Sequence, residues 1–387
     1  MIADREWVRR NIGFDPIARP APAATFSFTA AAKPRSTIED LQREIIDFDS
    51  ESPAGREFFA FTAATGFSRF TDIPWPAGLA PKTGPKPTGT GRGTLPRADV
   101  LVVTWTVDEG HALSRVLTPG KDSHDDYLSY THKFKTISSK MRRGCPALQA
   151  KRLGAYWTTK IGNKKVVVFK SDSHLSQDIK KIPALGGTLP NYDVWKQIID
   201  EVRPTLVITT GTAGGIGSDG EVGDVIVSPI VRFDGIKWLK SAPFHDAIYT
   251  SAAPTNKFFD MAETLFHANA AQLPRDNTRP PKIVLSNDPA SSVVTTDFFG
   301  FDTSDNHYGL QGLGDVSEMG DAILGLVGSQ MNTPPRWIAV RNVSDPQIKA
   351  EGTLREQAAL AAHIYKAFGR WSTVCSAIVC WALIAAE

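Results

Sequence analysis

The sequence predicts an α/β protein in which a central mixed, largely parallel sheet is flanked by helices and preceded by an irregular N-terminal extension. From residue 98 onward, short apolar and β-branched segments alternate with stretches of helical periodicity. Before that point the chain is rich in proline and alanine, and a helical pattern appears only near residues 37–49. The 387 residues therefore divide into an extension, residues 1–98, and one domain, residues 99–387, long enough for a sheet covered on both faces.

Each predicted strand is a short apolar run of the kind that is buried on both faces of a sheet. These runs cover residues 100–106, 165–170, 205–210, 224–228, 282–286 and 337–340. Stretches of helical periodicity cover residues 192–202, 254–271, 320–327 and 354–368. The apolar run at 374–386 is too short to cross a bilayer comfortably, so we expect a buried terminal helix there.

The composition is that of an ordinary soluble protein, with 42% hydrophobic and 22% charged residues and a net charge of +2. Such a balance does not indicate a nucleic-acid or membrane partner. The three cysteines, Cys145, Cys375 and Cys380, form neither a disulfide framework nor a metal-finger pattern. The first residues lack the apolar core of a signal peptide. We therefore expect a cytoplasmic protein without a metal site.

A glycine-rich segment at residues 209–220 directly follows a predicted strand. It contains a formal G-x-G-x-x-G at Gly215, Gly217 and Gly220, which in a dinucleotide-binding turn would open a helix. Residues 221–227 instead have a strand pattern, so no nucleotide cofactor is expected. Small residues at the carboxyl end of a strand do suit a ligand site, because glycine lets the backbone approach a flat ligand closely.

Residues 209–229 resemble the central motif of the nucleoside phosphorylase superfamily, above all its 5′-methylthioadenosine/S-adenosylhomocysteine nucleosidase branch and related nucleosidase effector domains. Four further segments resemble family motifs in the same order. They are the loop of the water-activating glutamate, the base-stacking loop, the ribose-binding helix start and the arginine–x–x–serine–aspartate turn, at residues 104–113, 296–299, 317–322 and 341–345. The first hundred residues lie outside the resemblance.

The resemblance implies cleavage of the N-glycosidic bond of a purine nucleoside or nucleotide, with adenine as the expected base. This reaction places positive charge on the sugar and requires protonation of the departing base. The resemblance assigns protonation to Asp345 and water activation to Glu109, which spacing from the preceding strand favours over Asp108. Ser344 would orient Asp345, and Arg341 would pair with a carboxylate.

The resemblance also implies a set of substrate-binding residues around these groups: Thr212, Ala213, Gly214, Phe298, Phe299, Glu318 and Met319. Phe299 is the expected stacking partner of the base, with Phe298 beside it. Glu318 would accept the ribose hydroxyls. A second register, in which Met319 matches the family's methionine, moves that role to the position of Gly320 or to Asp321.

Water is favoured over phosphate as the nucleophile, because Thr209 stands where phosphorylases of this family carry an arginine. Two groups could still contact an anion or the sugar: Lys170, Ser171 and His174 after one strand, and Arg232 with Phe233 after another. A phosphate-dependent phosphorylase, an assembly-regulated effector and a non-catalytic nucleoside sensor stay open as alternatives. We expect a homo-oligomer and a protein partner for the extension; the 5′ substituent of the substrate stays open.

Overall fold

The structure is a computed structural model that describes residues 1–13, 17, 37–62, 73–89, 91–175, 189–237, 239–267 and 273–387. Most of the proline- and alanine-rich part of the extension lies outside these residues, as does the end of the helix expected at 254–271.

The described residues form helices and strands that alternate along most of the chain. The helices are α1 (Arg5–Ile12), α2 (Ile38–Asp47), α3 (Pro53–Phe61), α4 (Val107–Leu117), α5 (Phe134–Ser138), α6 (Pro146–Ala150), α7 (Pro190–Val202), α8 (Phe258–His267), α9 (Asp321–Ser329) and α10 (Leu354–Ala386). The strands are β1 (Ile2–Ala3), β2 (Lys82–Thr83), β3 (Val100–Thr104), β4 (Leu128–Tyr130), β5 (Gly154–Ile161), β6 (Lys164–Ser171), β7 (Leu206–Gly215), β8 (Val225–Ser228), β9 (Ile230–Asp234), β10 (Ile248–Thr250), β11 (Ile283–Leu285), β12 (Val293–Thr296), β13 (Val316–Glu318), β14 (Arg336–Asp345) and β15 (Gln347–Ile348).

The predicted α/β class is confirmed by a mixed sheet of 13 strands flanked by helices. Its main path runs β10-β9-β12-β13-β7-β3-β6-β5-β2, and β14 lies against both β7 and β8. Strands β6, β3, β7 and β14 are mutually parallel. Their carboxyl ends therefore meet at one edge of the sheet, where open α/β folds bind ligands.

The glycine-rich segment continues β7 to Gly215, beyond the predicted strand end at residue 210. The strand is longer because β14 pairs with it along nearly its whole length, from Leu206 to Gly214. The next regular element is β8, so the segment leads into a strand and opens no helix. The context that a dinucleotide-binding turn requires is not met here.

Helix α10 forms the centre of one helical layer. By length and composition it could cross a membrane, but its most apolar 18-residue window is entirely buried inside the protein. The expected terminal helix is thus buried and continuous with the helix predicted at 354–368. Its polar side chains bond the strands beneath it: Ser376 accepts from Thr210 and donates to Asn342, at 3.0 and 2.8 Å between oxygens.

The described parts of the extension pack against the domain. Strand β1 pairs in parallel with β15, and Trp7 of α1 meets Phe368 of α10 edge-on, with ring centroids 6.1 Å apart. Helix α2 begins at an N-cap formed by Thr37 and lies against α10. The division of the chain at residue 98 stays a prediction.

The turn after α2 is attached to the domain by polar contacts. Asp108 on α4 accepts hydrogen bonds from the backbone N–H and hydroxyl of Ser50, at 2.9 and 2.6 Å. The buried His111 imidazole lies between Asp49 and Asp122, with nitrogen–oxygen distances of 3.3 and 3.2 Å. Burial lowers the pKa of His111, but the two carboxylates outweigh it and raise the value to about 9. The imidazolium thus joins the extension to the domain at neutral pH.

Candidate active site

A pocket lies at the sheet edge where the parallel strands end. About half of its lining residues lie at or just after the carboxyl ends of β3, β6, β7 and β14. The described lining residues are Gln42, Ile45, Ile46, Trp105, Thr106, Glu109, His174, Thr212, Ala213, Gly214, Phe299, Gly300, Ser317, Glu318, Met319, Arg341, Ser344, Asp345 and Tyr365.

Glu109 enters this pocket from the first turn of α4, and Asp108 points away toward Ser50. Glu109 forms a capping box with Thr106: its Oε2 accepts from the Thr106 N–H at 2.9 Å. Oε2 also accepts from the Thr104 hydroxyl and the Trp105 N–H, each at 3.0 Å. Oε1 accepts from the N–H and hydroxyl of Thr212, at 2.8 and 2.6 Å. Five donors therefore fix the carboxylate in one orientation.

The Glu109 carboxyl is ionised at neutral pH. Burial opposes its ionisation, but the Arg341 cation and the bonds from Thr212 and Thr106 outweigh this and lower its pKa. Gly211 makes room for the carboxylate, because a Cβ there would lie 2.5 Å from Oε1. Its φ of +148° also disfavours other residues.

Asp345 and Ser344 reach the pocket through a bulge at the end of β14. The register against β7 shifts between Val343 and Asp345, so both side chains face the pocket where regular alternation would place one. The Ser344 hydroxyl donates to Asp345 Oδ1 at 2.7 Å. Gly214 lies so close that a Cβ would be 3.2 Å from Asp345 Oδ2.

Asp345 differs from Glu109 in charge state. Burial raises its pKa to about 7, and the Ser344 hydrogen bond only partly opposes the shift. Beside the Glu109 carboxylate, the pocket therefore holds a carboxyl group that retains a proton near neutral pH. Two carboxyl groups with pKa values driven apart are the arrangement expected of an acid and an anionic partner at one reaction centre.

Arg341 is fully engaged by acidic groups. Its Nε donates to Asp321 Oδ2 at 2.8 Å, and its Nη2 contacts Asp321 Oδ1 at 2.5 Å and Glu318 Oε2 at 3.1 Å. The guanidinium also lies 4.6 Å from the centre of the Trp105 ring. Burial and repulsion from Asp321 raise the pKa of Glu318, which shares this one cation.

The sequence allows the ribose-binding role to fall to Glu318 or, in the second register, to the position of Gly320 or to Asp321. The structure places these residues differently. Glu318 and Met319 both line the pocket, whereas Asp321 is buried behind Arg341. A side chain at position 320 would displace the Trp105 ring, because a Cβ added to Gly320 would lie 3.0 Å from that ring. Placement therefore agrees with Glu318, whose role as the acceptor of ribose hydroxyls stays a prediction.

The side chains of the two phenylalanines in the base-stacking motif lie in different places. Phe299 lines the pocket, and its role as stacking partner of the base stays a prediction. Phe298 is buried beside it and packs on Tyr308 with ring centroids 4.7 Å apart, so it faces an adjoining groove with Lys237. Phe298 is therefore not among the lining residues of the pocket, and its part in binding the base stays a prediction.

The candidate anion groups are not assembled in the pocket. His174 lines it, but Lys170 contacts Asp172 and lines a neighbouring cavity, while the Ser171 hydroxyl donates to the Ser173 carbonyl. Phe233 packs in the core against Phe244, with ring centroids 5.0 Å apart. Arg232 precedes it on β9 and also lies outside the pocket lining.

Helix α2 supplies pocket residues that sequence reasoning missed. Gln42, Ile45 and Ile46 all line the pocket, and Gln42 Nε2 contacts Met319 Sδ at 2.7 Å. The amphipathic pattern of this segment predicted the helix but not the surface it covers. From α10, Tyr365 also reaches the pocket, where its hydroxyl donates to Thr106 Oγ1 at 2.8 Å.

A family model described as the phosphorylase superfamily matches residues 132–380, more than half of the chain. The chain belongs to this superfamily. A 5′-methylthioadenosine/S-adenosylhomocysteine nucleosidase from an Exiguobacterium species is 41% identical over 73 residues. That match covers 19% of this chain and only a quarter, 25%, of the relative's length.

Solved structures give weaker similarities. The same type of nucleosidase from Neisseria meningitidis, in complex with methylthio-immucillin-A, is 16% identical with a TM-score of 0.46, over 75% of this chain and 100% of that chain. A futalosine hydrolase from Helicobacter pylori is 13% identical with a TM-score of 0.44, over 74% of this chain and 96% of that chain.

Proposed function

We propose that this phosphorylase-superfamily member is a purine nucleoside N-glycosidase that uses water as the nucleophile and prefers adenine as the base. The observation that carries the proposal is the pairing of ionised Glu109 with protonated Asp345 in one buried pocket. The partial match to a 5′-methylthioadenosine/S-adenosylhomocysteine nucleosidase supports the choice of adenine nucleosides as the substrate class.

In the proposed reaction, the base lies against Phe299 with N7 near Asp345. Asp345 donates its proton as the bond from the sugar to the base breaks, so that the base leaves as a neutral molecule. The negative charge of Glu109 stabilises the positive charge that develops on the sugar. Glu318 accepts the sugar hydroxyls, and Glu109 takes a proton from the water that adds to the anomeric carbon.

Water is favoured over phosphate by the charges around the pocket. Arg341 is the one arginine or lysine among the described lining residues, and Asp321 and Glu318 already bind it. Lys170, in the next cavity, is bound by Asp172. A phosphate dianion needs cationic or N–H donors. Here it would meet carboxyl groups and an arginine that is already neutralised.

The proposal is tested by incubating the purified full chain with adenosine, 5′-methylthioadenosine, inosine and AMP, followed by chromatography of the bases. We expect release of free base, fastest from an adenine nucleoside. A protein that binds these compounds without releasing a base would be a sensor, and the enzyme proposal would then be wrong.

A further inference from the structure

The charged residues of this protein are unevenly distributed along its chain. Residues 73–98 and 127–171 hold 15 of the 43 lysines and arginines and none of the 41 acidic residues. The rest of the chain holds 28 basic and 41 acidic residues. The net charge of +2 is therefore the sum of a basic region and an acidic remainder. A basic region of this size indicates an anionic partner, which the net charge alone does not reveal.

The fold brings the two basic segments together at one end of the sheet. Strand β2 of the first segment pairs with β5 of the second, and β5 pairs with β6. In this register Lys160 lies directly opposite Lys82 on one side and directly opposite Lys165 on the other. Because residues paired in this way point to the same face of a sheet, the three side chains form one row, which we call the lysine row.

The lysine row is exposed to solvent and takes part in no ion pair within the described part of the chain. The carboxylate of Asp99 lies beside it and accepts a hydrogen bond from the backbone N–H of Lys165 at 2.7 Å. Like charges directly opposite each other destabilise a sheet. An anion that binds across the row would remove this repulsion.

A nucleic acid fits this surface better than a membrane or an acidic protein. Interfaces between proteins contain few lysines and many aromatic or methionine side chains, whereas interfaces with nucleic acids are strongly positive. Binding to a membrane surface requires apolar side chains that enter the lipid. The exposed large hydrophobic residues in the described ranges are Ile2, Ile236 and Ile248, and all of them lie outside β2, β5 and β6.

We propose that the lysine row binds the phosphate backbone of a nucleic acid. Residues opposite each other on neighbouring strands are about 5 Å apart, so the row extends over roughly 10 Å and can contact two or three phosphates. Contacts to phosphates carry no sequence information, so binding should be independent of base sequence.

The lysine row is separate from the pocket of the proposed hydrolysis. Lys165 lies near the amino end of β6, whereas the pocket lies beyond the carboxyl end of the same strand at Ser171. At about 3.3 Å per residue, the strand between these positions is roughly 20 Å long. A nucleic acid on the row would therefore leave the pocket open.

The test measures the fluorescence anisotropy of a labelled single strand of about 20 nucleotides, and of its duplex, with the purified full chain. We expect micromolar binding at about 50 mM salt, with similar affinity for unrelated sequences. The row variant, which combines Lys82→Gln, Lys160→Gln and Lys165→Gln, should bind at least about tenfold more weakly. For the single strand, the slope of log affinity against log salt concentration should decrease by about 2.

A matched variant makes the same change in net charge elsewhere on the surface. Lys240, Lys257 and Lys282 are exposed and lie outside both basic segments. Their joint replacement by glutamine should change the affinity by less than about threefold. The row variant should unfold at the wild-type temperature or above it, because repulsion between the paired lysines is relieved. Base release should be unchanged in both variants.

Three results would overturn the inference. The first is no binding of either oligonucleotide by the wild-type protein at about 100 μM and low salt. The second is equal weakening in the row variant and the matched variant, which would assign binding to net charge alone. The third is tighter binding of phosphatidylserine vesicles or polyglutamate than of either oligonucleotide, which would identify a membrane or an acidic protein as the partner.

Discussion

Asp345→Asn should lower kcat for base release by about 100- to 10,000-fold, because asparagine cannot supply the proton that the leaving base requires. The variant preserves the shape of the buried site, and the Ser344 hydroxyl can still donate to the amide oxygen. Binding of a non-hydrolysable adenine nucleoside analogue should therefore persist. Loss of binding together with kcat would contradict an acid role and indicate a collapsed pocket.

The Asp345 carboxyl group also determines the expected pH dependence of kcat/KM for the wild-type protein. Since Asp345 must be protonated and its pKa is about 7, kcat/KM should fall as the pH rises through about 7. The residual activity of Asp345→Asn should not show that fall. A wild-type profile that stays level to pH 9 would contradict the assignment.

Asp345→Asn should also stabilise the folded protein at alkaline pH. Asp345 has a higher pKa folded than unfolded, so its contribution favours folding at low pH and is lost as the pH rises from about 4 to 7. Raising the pKa from 3.8 to about 7 corresponds to about 4 kcal/mol above pH 7 as an upper bound. Chemical unfolding at pH 5 and pH 8 should show the advantage of Asp345→Asn increasing with pH.

We expect the second large effect, on the KM for the substrate, from substitutions in helix α2, which lines one side of the pocket. Replacing both Ile45 and Ile46 by alanine removes apolar contacts, each methylene contributing about 0.8 kcal/mol when fully buried. We expect KM for the substrate to rise by about 10- to 100-fold with a smaller effect on kcat. Steady-state kinetics at a temperature where the variant is folded would measure it.

Leu41 provides the matched control on the same helix. It is 2% exposed, belongs to the core and does not line the pocket. Leu41→Ala should lower the free energy of unfolding by about 2–5 kcal/mol without a selective change in KM. Equal changes in KM for Leu41→Ala and the Ile45/Ile46 variant would show that α2 acts only through stability.

Much of the fold was predictable because buried strands are continuous apolar runs. The strands at β3, β6 and β7 and the start of α10 follow directly from that pattern. The strands at β9, β12 and β13 were missed, since they are short and contain polar residues such as Arg232, Thr296 and Ser317. Their pairing depends on partners distant in the chain, which periodicity does not reveal.

The sequence placed Glu109, Thr212 and Asp345 near the carboxyl ends of strands, and all three line the pocket, while their roles stay predictions. The candidate site was not predictable where a long-range contact decides which way a side chain faces. Lys170 was an expected anion contact, but Asp172, which also pairs with Arg152, holds it in another cavity. The contribution of α2 to the pocket depends on how the extension folds back onto the domain. Its sequence therefore predicted a helix but not the surface against which this helix packs.

The identity of the sugar product in the presence of phosphate tests the proposed hydrolysis most directly. The purified protein, an adenine nucleoside and an excess of inorganic phosphate would be incubated, and the sugar analysed by mass spectrometry. The arrangement of Glu109, Asp345 and the neutralised Arg341 predicts the free sugar, at a rate independent of phosphate. A sugar 1-phosphate formed in proportion to added phosphate would contradict it.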